Sequence, residues 1–389
     1  MFGKIFIAAL LLFVINNFIS TIGQELSNLE KSHINFAVNL LQNIGESGKS
    51  TVISPFSISV ALSILHLGAN KKTKKQLEEV LGSDAHKFQI QQHFAKLLSD
   101  ITKVRSDRCM FSTANSIQIR HRSAAKENFL QMLQLFYAET VFNFGYEEKT
   151  LFQAVNCHVS EKTNSKITEL TSMRRSIPVD RMLILNAAHF KGNWKTYFPE
   201  KATRNRAFYI SEKEKKTVPM MKVFSKFRYY DDSSVKVVRL PCRDEQFEMV
   251  VILPKKSFNL PEVLNGLTGE KLHKYITNAE LTKLEVTLPS FRLKQTFHLK
   301  EILKRFGITN AFDKSADFSG IISDNIFTED ITHQTTIEVD EEGDEKAVLT
   351  SVVTKDMPYR VIKIFEANHP FLYFIVKNSD TVLLAGQFS

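Results

Sequence analysis

The chain has 389 residues, 43% of them hydrophobic and 31 of them Phe, enough to fill a large core. With 14 Gly and 10 Pro, no linker-like run and no internal repeat, it excludes collagenous, disordered and solenoid architectures and favours one extended domain. The formal charge of +9 is not interleaved with aromatics, which argues against nucleic acid, and Cys109, Cys157 and Cys242 are too few and too scattered for a disulfide scaffold or a zinc site.

The first residues form a separate unit. Lys4 precedes the apolar run Ile5–Val14, and small or polar residues follow at Ser20, Thr21 and Gly23. This layout predicts a secretory signal peptide over residues 1–23 and a single domain over 24–389. An uncleaved anchor is the competing reading, against which Asn16 and Asn17 interrupt the run. No later segment is apolar enough to span a bilayer and no KDEL-like ending is present, so a secreted, extracellular, soluble chain is expected. An odd cysteine count leaves at least one thiol unpaired, or paired with another molecule; buried structural thiols are the plainer reading.

Helical spacing dominates the first third. Ile34, Ala37, Val38 and Leu41 form one stripe. Ser54-Pro55 is a helix start, because Ser caps the first free N–H groups and Pro tolerates the first helical position; that helix should stop near Gly68. Thr73 is placed to cap a helix carrying Leu77, Val80 and Leu81, and Phe88, Gln91, Phe94, Leu97 and Ile101 predict a longer one. The lysines of 71–75 and 213–216 read as solvated faces, and a sulfated glycosaminoglycan suits such a basic extracellular chain.

Beyond residue 110 the period shortens. Ser116–Ile119 alternates as a half-buried strand should, Met182–Phe190 and Phe247–Leu253 suit central strands, and Leu284–Leu288 alternates again. Leu299–Phe306 returns to helix before strands near Thr335–Val339 and Phe371–Val376. Helices first and then mostly strands predict an α+β fold. There is no G-x-S-x-G, H-E-x-x-H or Walker motif, so no catalytic site is expected. The acidic run Asp340–Glu345 has its Gly at the wrong step for an EF-hand, no metal or cofactor is expected, and no N-x-S/T acceptor is present.

Several segments, in order, resemble the serpins. They include Thr51–Ile58, Leu185-Asn186-Ala187-Ala188-His189-Phe190 running to Trp194, Val218–Met221, Leu288–Phe291, and Phe306-Gly307-Ile308 with Ala316–Gly320. Glu338–Gly343 resembles the family's hinge and His369-Pro370-Phe371 its final strand pair. The resemblance implies about nine helices around three β-sheets with an exposed reactive-centre loop, here about residues 343–366. It implies a monomer that is not an enzyme but a suicide-substrate inhibitor of extracellular serine or cysteine proteases. The protease cleaves the loop, whose upstream arm then inserts as a new strand of the main sheet.

The same resemblance assigns residues. Ser54, Ser57, Asn186 and His333 match a polar cluster beneath the point where strands part, and Trp194 borders the point of insertion. Glu341, Glu342, Gly343, Asp344, Glu345, Lys346 and Ala347 form the hinge. The family's usual distance from Glu341 lands on Met357, followed by Pro358, whose ring makes a poor scissile neighbour. Lys355-Asp356 and Arg360-Val361 are the other candidate bonds. Inhibitory members favour small or uncharged residues where this chain has Asp344 and Lys346, and burying such charges costs several kcal/mol. A non-inhibitory binding, carrier or decoy role is therefore the second reading. Ser290 stands where many members carry a Lys that pairs with Glu341. Lys96, Lys103, Arg105 and Arg108, on or after the fourth helix, occupy a region where some serpins bind heparin.

Overall fold

The helix α1 (Asn28–Ile44) begins with a reciprocal cap in which Ser27 Oγ accepts from the Glu30 N–H and the Glu30 carboxylate accepts from the Ser27 N–H at 2.7 Å. Its buried side includes Ile34, Ala37, Val38 and Leu41, as the spacing predicts. Helix α2 (Pro55–Gly68) is buried on every side, the position that an apolar-all-round sequence demands. Ser54 caps it, its Oγ accepting from the Ser57 N–H at 3.2 Å. These elements belong to a computed structural model that describes residues 26–82, 87–102, 109–143, 149–170, 178, 180–343 and 363–389.

Helix α3 (Lys71–Leu81) starts two residues before Thr73, behind Asn70. Thr73 lies inside the helix and is buried; its hydroxyl accepts from the Asp317 N–H at 2.9 Å, so it anchors a neighbouring loop instead of capping its own helix. In α4 (Lys87–Thr102) the packed face is Ile90, Gln91, Phe94, Leu98 and Ile101, whereas Phe88 is exposed. Helices α5 (Glu127–Tyr137), α6 (Lys149–Lys162), α7 (Leu260–Asn265), α8 (Gly269–Thr277) and α9 (Lys300–Arg305) complete the nine α-helices among the described residues. None of these is long and apolar enough to cross a membrane.

The central sheet has five strands in the order β10 (Phe291–His298), β11 (Phe327–Val339), β4 (Arg181–Lys191), β2 (Met110–Arg120), β3 (Val141–Asn143). Strands β11 and β4 are parallel along their whole length, from Phe327↔Arg181 to Glu338↔Lys191. Both faces of β4 are covered, and the two-residue period sorts its side chains. Met182, Ile184, Ala188 and Phe190 join the main core with Phe56 of α2. Leu183, Leu185 and Ala187 pack with Val155 and Val159 of α6. The same cover explains why Ser116–Ile119 is buried on both faces instead of one.

The remaining strands form one hydrogen-bonded sheet in the order β1 (Thr51–Ile53), β14 (Thr381–Phe388), β13 (Phe371–Lys377), β8 (Phe247–Pro254), β7 (Val235–Pro241), β6 (Lys215–Asp231), β9 (Glu280–Pro289), β12 (Lys363–Glu366), with β5 (Arg204–Tyr209) also on β6. Three sheets were expected, but two are defined among the described residues. The 17-residue β6 pairs in turn with β5, β9 and β7, and so joins what would otherwise be separate sheets.

Cysteine pairing differs from the expectation of buried free thiols. The start of β2 meets the β7–β8 turn, and Cys109 and Cys242 there form a disulfide with Cα atoms 6.1 Å apart. Cys157, on α6, is free and exposed.

Candidate functional site

Where α2 runs beneath the central sheet, polar groups are buried in a connected set. His333 and Asn186 lie side by side in the β11–β4 register, and Asn186 faces Asn115 across β4–β2. The Ser54 N–H donates to His333 Nε2 at 3.0 Å, so the ring proton sits on Nδ1, which donates to Asn186 Oδ1. The Thr335 hydroxyl also contacts Nε2. Burial holds the His333 pKa down at about 3, so the ring is neutral. Asn186 Nδ2 donates to Ser57 O at 3.0 Å and to Asn115 Oδ1 at 2.6 Å. The Ser57 hydroxyl meets Thr113 Oγ1 at 2.8 Å, and the Thr113 hydroxyl donates to Ala187 O at 3.0 Å. The Ser54 hydroxyl donates to Leu383 O at 2.7 Å, which ties the set to β14.

Sequence reasoning named Ser54, Ser57, Asn186 and His333, and the structure brings all four together. It missed Thr113 and Asn115. The signal was present in Ser112-Thr113-Ala114-Asn115-Ser116, an unusually polar run for a strand buried on both faces. The network also reaches α6. The Asn115 N–H donates to Glu139 Oε1 at 3.0 Å, while His158 Nε2 lies 2.9 Å from Glu139 Oε2 and 3.2 Å from Asn115 O.

At the head of β11 the chain turns over the end of β4. Trp194 is buried; its indole N–H donates to Asp340 O at 2.8 Å and its backbone N–H to Glu342 O at 2.9 Å. Gly343 makes a parallel bridge to Trp194, which in turn bridges Cys242. A Cβ on Gly343 would stand 2.5 Å from Tyr197 Cβ and 2.7 Å from Trp194 O, so no larger residue fits.

The carboxylates of Asp340, Glu341 and Glu342 are separately held. The Thr203 hydroxyl donates to Glu341 Oε1 at 2.7 Å. Lys191 Nζ lies 2.7 Å from Glu342 Oε1 and 3.7 Å from Asp340 Oδ2. Burial pushes Asp340 up from the ordinary carboxylate range. Burial alone would lower Lys191, but the bond to Glu342 and the nearby Asp340 charge outweigh it and raise its pKa. Ser290 does not reach Glu341; its hydroxyl donates to Val339 O at 3.2 Å.

Several named residues fall elsewhere. Asp344, Glu345, Lys346 and Ala347, and the candidate bonds at Lys355, Asp356, Met357, Pro358 and Arg360, lie outside the described residues, as do Lys103, Arg105 and Arg108. Lys96 is exposed on α4. Among the described residues no group of three or more His, Cys, Asp or Glu is arranged to hold a metal.

A family model described as serpin (serine protease inhibitor) matches residues 31–389. The chain belongs to the serpin family. This serpin is 33% identical to human serpin B8 over 91% of its own length and 97% of the relative's. It is 31% identical to human leukocyte elastase inhibitor, covering 94% of this chain and all of that one. Its backbone matches uncleaved ovalbumin with a TM-score of 0.83 at 24% identity, over 93% of this chain and 99% of that one, a likeness of fold alone.

Proposed function

We infer that this serpin is a secreted inhibitor of serine proteases that acts as a suicide substrate. The observation that carries the reading is the seat of Gly343. The first loop residue already bridges Trp194, three residues past the end of β4, beside the seam between β4 and β11. A segment continuing from there into the seam would replace one parallel ladder with two antiparallel ones. It would also meet waiting polar groups: both ring nitrogens of His189 on β4 and Nε2 of Gln334 on β11 are buried without hydrogen-bond partners. Unpaired buried groups are costly, and a state that pairs them is favoured.

Two features support secretion: the signal-peptide pattern of residues 1–23, and the Cys109–Cys242 disulfide, a bond that persists in oxidising compartments. Glycosaminoglycan binding through Lys96, Lys103, Arg105 and Arg108 is compatible with that setting. The second reading is a non-inhibitory binding, carrier or decoy serpin, favoured by Asp344 and Lys346, whose charges would be carried onto the core face of an inserting strand.

Incubation of the mature chain with trypsin-, chymotrypsin- and elastase-like enzymes separates the two. The inhibitor reading expects a complex that survives SDS and a large rise in thermal midpoint after loop cleavage. Cleavage with no complex and an unchanged midpoint would establish the non-inhibitory role instead.

A further inference from the structure

At the end of the central sheet away from Trp194, side chains from several segments converge on the β4–β11 seam. Arg181, the first residue of β4, stands opposite Phe327, the first residue of β11. Its guanidinium carbon lies 3.6 Å from the centroid of the Phe327 ring, and its Nε lies 3.5 Å from Glu329 Oε2. A planar cation laid on an aromatic face with a carboxylate beside it is attracted by both, so this contact ties β4 directly to β11.

A second set of contacts passes over β4 altogether. Residues 121–126 lead from β2 to α5, and residues 319–326 lead into β11. Between these two links the Ser123 hydroxyl donates to Asp324 Oδ2 at 2.6 Å, the Lys126 N–H to Ile321 O at 2.8 Å, and the Lys126 ammonium to Ser319 O at 2.7 Å. His121 stands between two carboxylates, with Nε2 3.4 Å from Asp180 Oδ1 and Nδ1 3.8 Å from Asp324 Oδ2. The Ser123 N–H donates to His121 Nδ1 at 2.9 Å, and Asn143 of β3 donates to Ser123 O at 2.9 Å. Each contact alone is modest, because the Asp180 and Asp324 carboxylates are more than half exposed. Their placement gives them joint weight. Strands β2 and β11 flank β4 on opposite sides, so a strand entering between β4 and β11 would carry the two links about 4.8 Å further apart. Hydrogen bonds of 2.6 to 2.8 Å do not survive such a displacement.

We propose that Ser123, Lys126, Arg181 and Asp324 form a clasp that keeps the base of the seam shut, so that a segment entering from the hinge completes its insertion only when the clasp releases. The inference rests on the suicide-substrate reading for what enters the seam; the clasp itself is a property of the uncleaved molecule. It differs in kind from the Glu139–His158 couple, whose partners all lie on one side of the seam and move together. Contacts that must part stabilise the intact form and are lost from the inserted one, so they slow the passage between the two.

The test compares the mature wild-type chain with Asp324→Ala, with Arg181→Lys, which keeps the charge but loses the stacking, and with the two combined. After loop cleavage, insertion followed by the rise in thermal midpoint with time should run at least about fivefold faster in the double variant. The midpoint of its intact form should fall, while that of its fully inserted form stays at the wild-type value. Ser123→Ala and Asp324→Ala break the same bond, so together they should speed insertion no more than Asp324→Ala alone. Hydrogen exchange on uncleaved protein reads the clasp without any insertion: the Lys126 amide should exchange faster in Asp324→Ala than in the wild type. A wild-type loop that fails to insert, alongside that faster exchange, would sink the suicide-substrate reading and leave the clasp standing. The clasp is overturned if Lys126 exchanges at the same rate in both proteins, if an inserting wild type is matched in rate by the double variant, or if the intact and inserted forms lose equal stability.

Discussion

His333 is held neutral because protonating it would place a charge among groups already committed: Ser54 N–H donates to one ring nitrogen and Asn186 accepts from the other. Its folded pKa of about 3 lies below the ordinary 6.5. His33, whose Nε2 faces Val382 O at 3.0 Å, and His189 are both driven down to about 4, chiefly by burial. For each, the unfolded chain binds the extra proton below pH 6.5, so stability is fully present above that pH and falls as the pH drops towards the folded values. At pH 5 each ring is expected to cost roughly 2 kcal/mol relative to pH 7.5. Thermal midpoints measured across pH 7.5 to about 4.5 should fall steadily, and His333→Gln should flatten the slope while lowering the midpoint at neutral pH. A wild-type midpoint indifferent to pH over that range would contradict the neutral assignment. Only part of this chemistry was legible in the sequence. Ser54, Ser57, Asn186 and His333 emerged through family resemblance, whereas Glu139 and His158 did not, because a carboxylate and an imidazole 19 positions apart carry no local pattern.

At the scale of elements, α6 is fastened to the sheet by more than its apolar face. Glu139 and His158 occupy the donor and acceptor of Asn115 just where the short β3 has not yet begun to pair, so this hydrogen-bonded couple extends the ladder of β2. Lys162 adds a bond to Ala138 O at 2.7 Å. All these groups lie on β2, α6 and the segment leading into β3, on one side of the β4–β11 seam. A strand added at that seam would shift them together by about 4.8 Å without separating them. Glu139→Ala strands the buried Asn115 N–H and should cost about 1–3 kcal/mol. Glu139→Gln keeps an acceptor there and should cost less. Differential scanning calorimetry on intact and loop-cleaved protein should record the same loss in both forms. A loss confined to the intact form would mean that α6 detaches from the sheet during insertion. Other elements reveal what periodicity reads and what it does not. The stripes of α1 and the dense runs of β4 and β8 are visible in the sequence because packing alone decides them. The start of α3 is not, because Thr73 spends its hydroxyl on Asp317, a contact between segments far apart in the chain.

The order of helices and strands was enough to read an α+β molecule, but the joining of its sheets was hidden, since no string of residues reveals that one long strand serves three partners. The Cys109–Cys242 bond was equally hidden, as it depends on where two distant turns meet. It links residues 133 apart and ties the head of β2, in the central sheet, to the β7–β8 turn of the second sheet, beside Trp194. Any opening between β4 and β11 would therefore take place next to a covalent pin that holds the head of β2 to the β7–β8 turn. Closing a loop of that length removes up to about 5 kcal/mol of unfolded-chain entropy, with about 2–4 kcal/mol the usual yield. The Cys109→Ser/Cys242→Ser double variant should lose stability of that order in chemical denaturation. Both sulfurs are buried, at 2% and 0% residue exposure, so reductant should produce the same loss only after the protein has been partly unfolded. If the intact variant inserts its cleaved loop at the wild-type rate, followed by the rise in thermal midpoint with time after cleavage, then the pin stabilises the fold without steering the sheet. A changed rate at comparable cleavage would assign it a part in how the seam opens.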